Sequence, residues 1–198
     1  MPALTPADVL ERDIPYRLDS VATLNLAARL MLEWGERKPM QIFFDGKLTI
    51  NGTSSAFFNP VFEAGLVHCR ALLEFVGLKA EPSDPLRLGS RRAKRPDDYG
   101  IEDFSGSSGP LPLVTPQRAI ARYPGDPTDA ESALALVLFG TNKLLAHVTR
   151  GVALPDDQVR LIEIASRGVP AIVVSCLYTP LGLPAPKSSL SARKRDDA

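Results

Sequence analysis

The chain has two histidines, His68 and His147, and each falls where the flanking residues predict a helix. Imidazole titrates near neutral pH, so histidines beside cations suit general acid–base chemistry. At about 100° per residue, Lys143, His147 and Arg150 share one helix face at i, i+4 and i+7. Arg70 lies just beyond His68, and Asn142 precedes Lys143. If the two helices are antiparallel neighbours, these groups converge, with the cations placed to stabilise an anionic transition state. Metal-independent phosphodiester cleavage needs such a set. The alternative is structural: each histidine is hydrogen-bonded at the edge of the core, and Arg70 pairs with Glu74 one turn on. Cys69 and Cys176, both in apolar helical windows, read as buried reduced thiols, with no spacing for a metal. Two histidines alone are too few for zinc, and no Gly-rich phosphate loop, GxSxG or HExxH motif occurs. No metal or cofactor is expected.

A second charged feature is the run Arg91-Arg92-Ala93-Lys94-Arg95, which could grip the phosphates of RNA, together with Arg150. Asp97, Asp98, Glu102 and Asp103 follow at once and cancel part of its field, so a solvated loop is the competing reading. Basic and acidic residues number 23 each, giving no net field to steer the molecule onto a polyanion or an anionic lipid. Any such contact has to be local.

The elements that must position these groups are punctuated by proline. The 198 residues suit one core with appendages, and 44% hydrophobic with 23% charged residues excludes a wholly disordered, fibrous or membrane chain. Thr5 and Pro6 start a short helix to about residue 11, and an apolar stripe including Leu24, Leu30 and Trp34 predicts a helix over 20–37. Asp45-Gly46 between apolar runs predicts a small hairpin. Asn59 as cap and Pro60 as first residue open a helix carrying Phe62, Leu66, Cys69 and Leu73 to about residue 78. Eight of the 18 prolines fall in 82–127, which reads as a long irregular crossing. Thr128 to Glu131 fits a capping box for a helix to residue 150, and a last helix over 155–178 must kink or break at Pro170. The expectation is a mainly α, single-domain bundle of four to five helices over 1–180, with a disordered tail over 181–198. With no N-terminal apolar run, and an apolar stretch at 171–178 far short of the ~20 residues a span needs, a cytoplasmic protein without membrane contact is expected.

The stretch Thr141-Asn142-Lys143-Leu144-Leu145-Ala146-His147 resembles the C-terminal helix motif of the HEPN superfamily, in which an Arg and a polar residue precede a His. Asn142 and His147 match, while Thr141 stands where the family has Arg. The resemblance implies an up-and-down helical bundle, frequent homodimers and, in active members, metal-independent RNA cleavage at a site shared by two protomers. The order of His68, Arg70, the acid-rich stretch ending at Asp103-Phe104, Asn142 and His147 also resembles a layout in uncharacterised bacterial proteins. With the Arg missing, the leading expectation is a noncatalytic module associated with RNA or a nucleotide. A ribonuclease of toxin or defence type using His147, with Arg70 or Lys143 in place of the Arg, is the alternative, and a purely structural interaction protein is a third.

Overall fold

The structure, a computed structural model, describes residues 4–145 and 155–190. The first helical run is longer than expected. Thr5 and Asp8 cap each other at α1 (Pro6–Asp8), and the chain passes through a π turn (Val9–Asp13) directly into α2 (Ile14–Trp34). Pro15 explains the π turn: it has no N–H to donate and its ring would crowd the preceding α turn, so the helix widens just before it. Ile14 N–H reaches back to Val9 O, and Leu10 O, left without an N–H from Pro15, accepts the Tyr178 hydroxyl at 2.7 Å instead. Gly35, with φ of +64°, closes α2.

β1 (Pro39–Phe44) and β2 (Lys47–Thr53) form the hairpin, turning at Asp45 and Gly46, both at positive φ as a tight primed turn requires. Its Phe43, Phe44, Leu48 and Ile50 side chains are exposed. α3 (Ser55–Val76) starts earlier than Asn59: Ser54 accepts Lys38 N–H on its hydroxyl and the Phe57 and Phe58 N–H groups on its carbonyl. Pro60 therefore lies inside the helix, close enough to its start to remove one bond without ending it. Gly77, φ +107°, ends it.

The expected mainly α bundle with an irregular crossing is corrected here. The fold is mixed, 57% helical and 16% strand, with three two-stranded antiparallel sheets among the described residues. One of these sheets and one strand of another fall in the proline-rich span. β3 (Leu78–Glu81) pairs with β4 (Asp84–Ser90), then β5 (Ser105–Gly106) with β6 (Gly109–Pro110), and α4 (Pro116–Arg122) follows, capped by Thr115. Two-stranded sheets are all edge, so Pro85 removes no interior ladder bond. α5 (Pro127–Leu145) is capped by Asp126, whose carboxylate takes the Thr128 N–H and hydroxyl, in place of the expected Thr128–Glu131 box. Glu131 instead accepts Leu88 N–H at 3.1 Å and Arg87 Nε at 3.0 Å, clamping β4 to α5. α6 (Asp156–Val173) runs unbroken through Pro170 into a second π turn (Val174–Tyr178). That run of 23 residues contains an 18-residue window of mean hydropathy 1.5, long and apolar enough to cross a membrane by length and composition, but 61% of the window is buried in this fold.

Helices α2, α3, α5 and α6 enclose the core, with Leu24, Leu72, Leu73, Leu134, Ile162 and Ile172 fully buried. α2 and α3 meet closely at Gly65, where a Cβ would lie 2.5 Å from Leu24 Cβ. Cys69 and Cys176 are buried, and burial pushes the Cys69 thiol up to about 12, leaving it protonated and unreactive. Ser188 and Ser189 dock on α2, where Asp19 accepts from the Ser188 hydroxyl and Ser189 N–H.

Candidate functional site

His68, at the half-buried edge of α3, faces α2. Arg17 Nη1 lies 3.3 Å from His68 Nδ1, while Arg17 Nε holds Asp13 at 3.0 Å, and Tyr16 packs edge-on against the imidazole with centroids 5.1 Å apart. A guanidinium only donates, so His68 Nδ1 accepts and the ring proton sits on Nε2. Burial, followed by the Arg17 charge, pulls the His68 pKa below its ordinary 6.5, against an opposing effect of Asp13. At neutral pH this histidine is an uncharged Nε2 donor rather than a base. Asp13, Tyr16 and Arg17 were not singled out from the sequence, although Asp13 and Arg17 stand at the i,i+4 spacing of a helical ion pair.

Of the other site candidates, Arg70 pairs with Glu74 at 2.7 Å, as the structural alternative has it. The side chains of Asn142 and Lys143, in the last turn of α5, lie outside the described residues, as do His147 and Arg150. Their convergence with His68 is therefore not described. Thr141 is: it is buried, and its hydroxyl contacts Leu66 O at 3.1 Å and Val137 O at 2.5 Å, tying α5 to α3. The position that holds Arg in the resembled motif thus points into the core.

The basic run is partly neutralised by the acids that follow it. Arg91 Nη2 bonds both oxygens of Glu102, at 2.8 and 2.9 Å, and Lys94 reaches Asp103 at 2.7 Å and Asp98 O at 2.9 Å. Burial raises the Asp103 pKa, but hydrogen bonds from Lys94 and Gly100 N–H and the nearby cations outweigh it and hold the carboxyl below its usual range. Arg92 and Arg95 are exposed. Arg91 is not a loop cation in water: its side chain is only 12% exposed, and Nε and Nη1 are buried without an acceptor.

A cleft of about 700 Å³ lies between the start of α2, the second half of α3 and the 91–99 segment. Arg17, Arg70, Lys79, Arg91, Lys94 and Arg95 reach it. Asp13, Glu74, Asp97 and Asp98 share its walls, and Glu102 and Asp103 hold Arg91 and Lys94 from behind, so four of the six cations are already ion-paired. Ile14, Phe75 and Leu78 lie behind it as buried core side chains, and the Tyr99 hydroxyl, bonded to Leu4 O at 2.8 Å, pins the 91–99 segment. Arg17 links the two parts, since it both lines the cleft and touches His68. Among the described residues no group of three or more His, Cys, Asp and Glu side chains is placed to hold a metal ion. Comparison with protein-family models, curated proteins and solved structures finds no match to this chain.

Proposed function

We propose that this chain is a noncatalytic module that holds RNA or a nucleotide by its phosphates in the cleft beside Arg17. The observation that carries the reading is the gathering of six basic side chains, from α2, α3, β3 and the 91–95 run, around one confined space. Four of the six are held by Asp13, Glu74, Glu102 and Asp103, and a phosphate entering there competes with these carboxylates for their donors. Two features support the absence of catalysis. His68 has its Nδ1 occupied by Arg17, so it offers only a neutral donor at physiological pH. Thr141, in the place of the motif arginine, spends its hydroxyl inside the core. Self-association, which the HEPN resemblance implies, is part of the same reading.

Fluorescence anisotropy of a labelled single-stranded RNA, in EDTA and across a salt series, tests it. Binding should weaken as salt rises, with a log–log slope set by the number of phosphates neutralised, while a gel of the same samples shows intact RNA. Light scattering of the protein reads its self-association. Cleavage that disappears in His147→Ala or His68→Ala would instead assign a ribonuclease. An absence of binding even at low salt would leave only the interaction protein.

A further inference from the structure

We infer that the open edge of β1 pairs with β1 of a second copy of this chain, antiparallel about Ile42, to make one four-stranded sheet. The inference rests on the self-association in the preceding reading, to which it gives a surface, and is independent of the cleft.

The hairpin leaves Phe43, Phe44, Leu48 and Ile50 exposed, and no third strand pairs with it among the described residues. A lone two-stranded ribbon is marginal in water, and its edges present N–H and C=O groups to any strand that fits. Its base is held: Ser54 N–H donates to Lys38 O at 2.8 Å, and Lys38 N–H to the Ser54 hydroxyl at 3.1 Å.

The two edges differ. Ile42 faces Ile50 whereas Phe43 faces Leu48, so Thr49 is an extra residue that bulges β2. With Lys47 close by, the β2 edge is blunted against pairing. β1 has neither device, since Met40 to Phe44 contains no charge and Pro39 only starts the strand. Pairing through β1 alone therefore closes at two copies and does not run on as a fibre.

β1 also fits itself. In a two-residue turn Phe44 and Lys47 bond across the hairpin, so by alternation Gln41 and Phe43 turn their backbone groups outward. Antiparallel pairing about Ile42 sets Gln41 opposite the second copy's Phe43, and these pairs exchange ladder bonds. Met40, Ile42 and Phe44, which share one face of the strand, then lie beside the second copy's Phe44, Ile42 and Met40. The same arrangement carries the Asp45 turn of each arm to the base of the other, where Arg37 and Lys38 lie. At 54% and 63% exposure, and about 200 Å² in a whole aromatic side chain, Phe43 and Phe44 offer roughly 230 Å² per copy. A seam one strand wide built around these rings belongs with the small, reversible interfaces, below the roughly 800 Å² per partner of a standard one.

Sedimentation velocity across a series from about 1 μM to about 1 mM tests it. The mass should rise from 21.4 kDa toward twice that value and stop. Gln41→Pro removes an outward N–H without touching a bond inside the hairpin, and Ile42→Lys sets like charges opposite each other at the two-fold axis. Each should weaken the dimer by about ten-fold or more. Thr49→Lys, on the outer strand, should leave it unchanged. Circular dichroism melts verify that the variants are folded. A parent that stays monomeric throughout would overturn both this inference and the self-association, leaving phosphate binding to its own assay. Dimerisation unchanged in folded Gln41→Pro and Ile42→Lys, or lost in Thr49→Lys, would overturn the β1 seam alone. A mass that climbs past two copies would overturn the closed arrangement.

Discussion

Replacing Thr141 by Arg restores the residue type of the resembled nuclease motif, and the structure predicts that it damages the fold instead of creating a site. Thr141 is 7% exposed and faces α3, with its hydroxyl between Leu66 O and Val137 O. An arginine here either leaves an uncompensated charge in the core or forces α5 away from α3. Stranding a buried charge costs about 3–5 kcal/mol, a large part of the ~5–15 kcal/mol by which domains are stable. At roughly 2–4 °C per kcal/mol for a chain of this size, Tm should fall by about 6–20 °C. Thr141→Val is the control. It preserves shape and loses only the hydroxyl, and the two helical carbonyls keep their places in the backbone ladder, so about 1 kcal/mol is expected. Urea unfolding followed by circular dichroism measures both, with the m-value checking that the unfolding transition stays comparable. If Thr141→Arg stays within about 1 kcal/mol of the parent, the side chain has found solvent and position 141 is not a core position. Gain of RNA cleavage in that folded variant would go further and revive the nuclease reading.

Two further predictions concern the α2–α3 contact. His68 has a folded-state pKa below its ordinary 6.5, so between those two values the unfolded chain binds more protons. Its contribution to stability is fully present above about pH 6.5 and is lost as pH falls toward the folded value. Tm measured from pH 8 to 5 should therefore decline less steeply in His68→Gln than in the parent, and a steeper decline in the variant would contradict the assignment. Gly65→Ala places a methyl 2.5 Å from Leu24 Cβ, too close for contact without moving a helix. It should cost about 1–3 kcal/mol in the same urea assay, and a neutral result would show that the helices separate freely.

Much of the helical frame is legible from local chemistry. The Asp45-Gly46 turn and the Gly77 stop each rest on a backbone conformation that few residues favour, and both stand where expected. The misreadings share one cause, which is that prolines and acids answer to partners distant in sequence. Glu131 fits a capping box by spacing, but it serves β4. Pro60 and Pro170 look like boundaries, but both lie inside helices, Pro60 near enough to the start of α3 to cost only one bond. The 82–127 span was hidden by its prolines, although Leu78-Lys79-Ala80-Glu81 shows the two-residue alternation of a strand. At the site, residue type points to His68, one of only two histidines, and Arg70 follows from lying two residues beyond it. The Arg17 neighbour that sets the tautomer of His68 lies 51 residues away in sequence, and only the packing of α2 on α3 brings it there. The burial of Arg91 is of the same kind, since nothing in a run of basic residues tells which one is folded inward.

The bond from Tyr178 to Leu10 has a temporal consequence. It spans 168 residues and joins the two π turns, closing the one carbonyl that Pro15 cannot serve. While the chain is being synthesised, the turn at 9–13 waits for an acceptor's partner that emerges only after nearly all the described residues have been made. Local helix formation in α2 is fast on its own, but this loop closure is among the longest the chain can make.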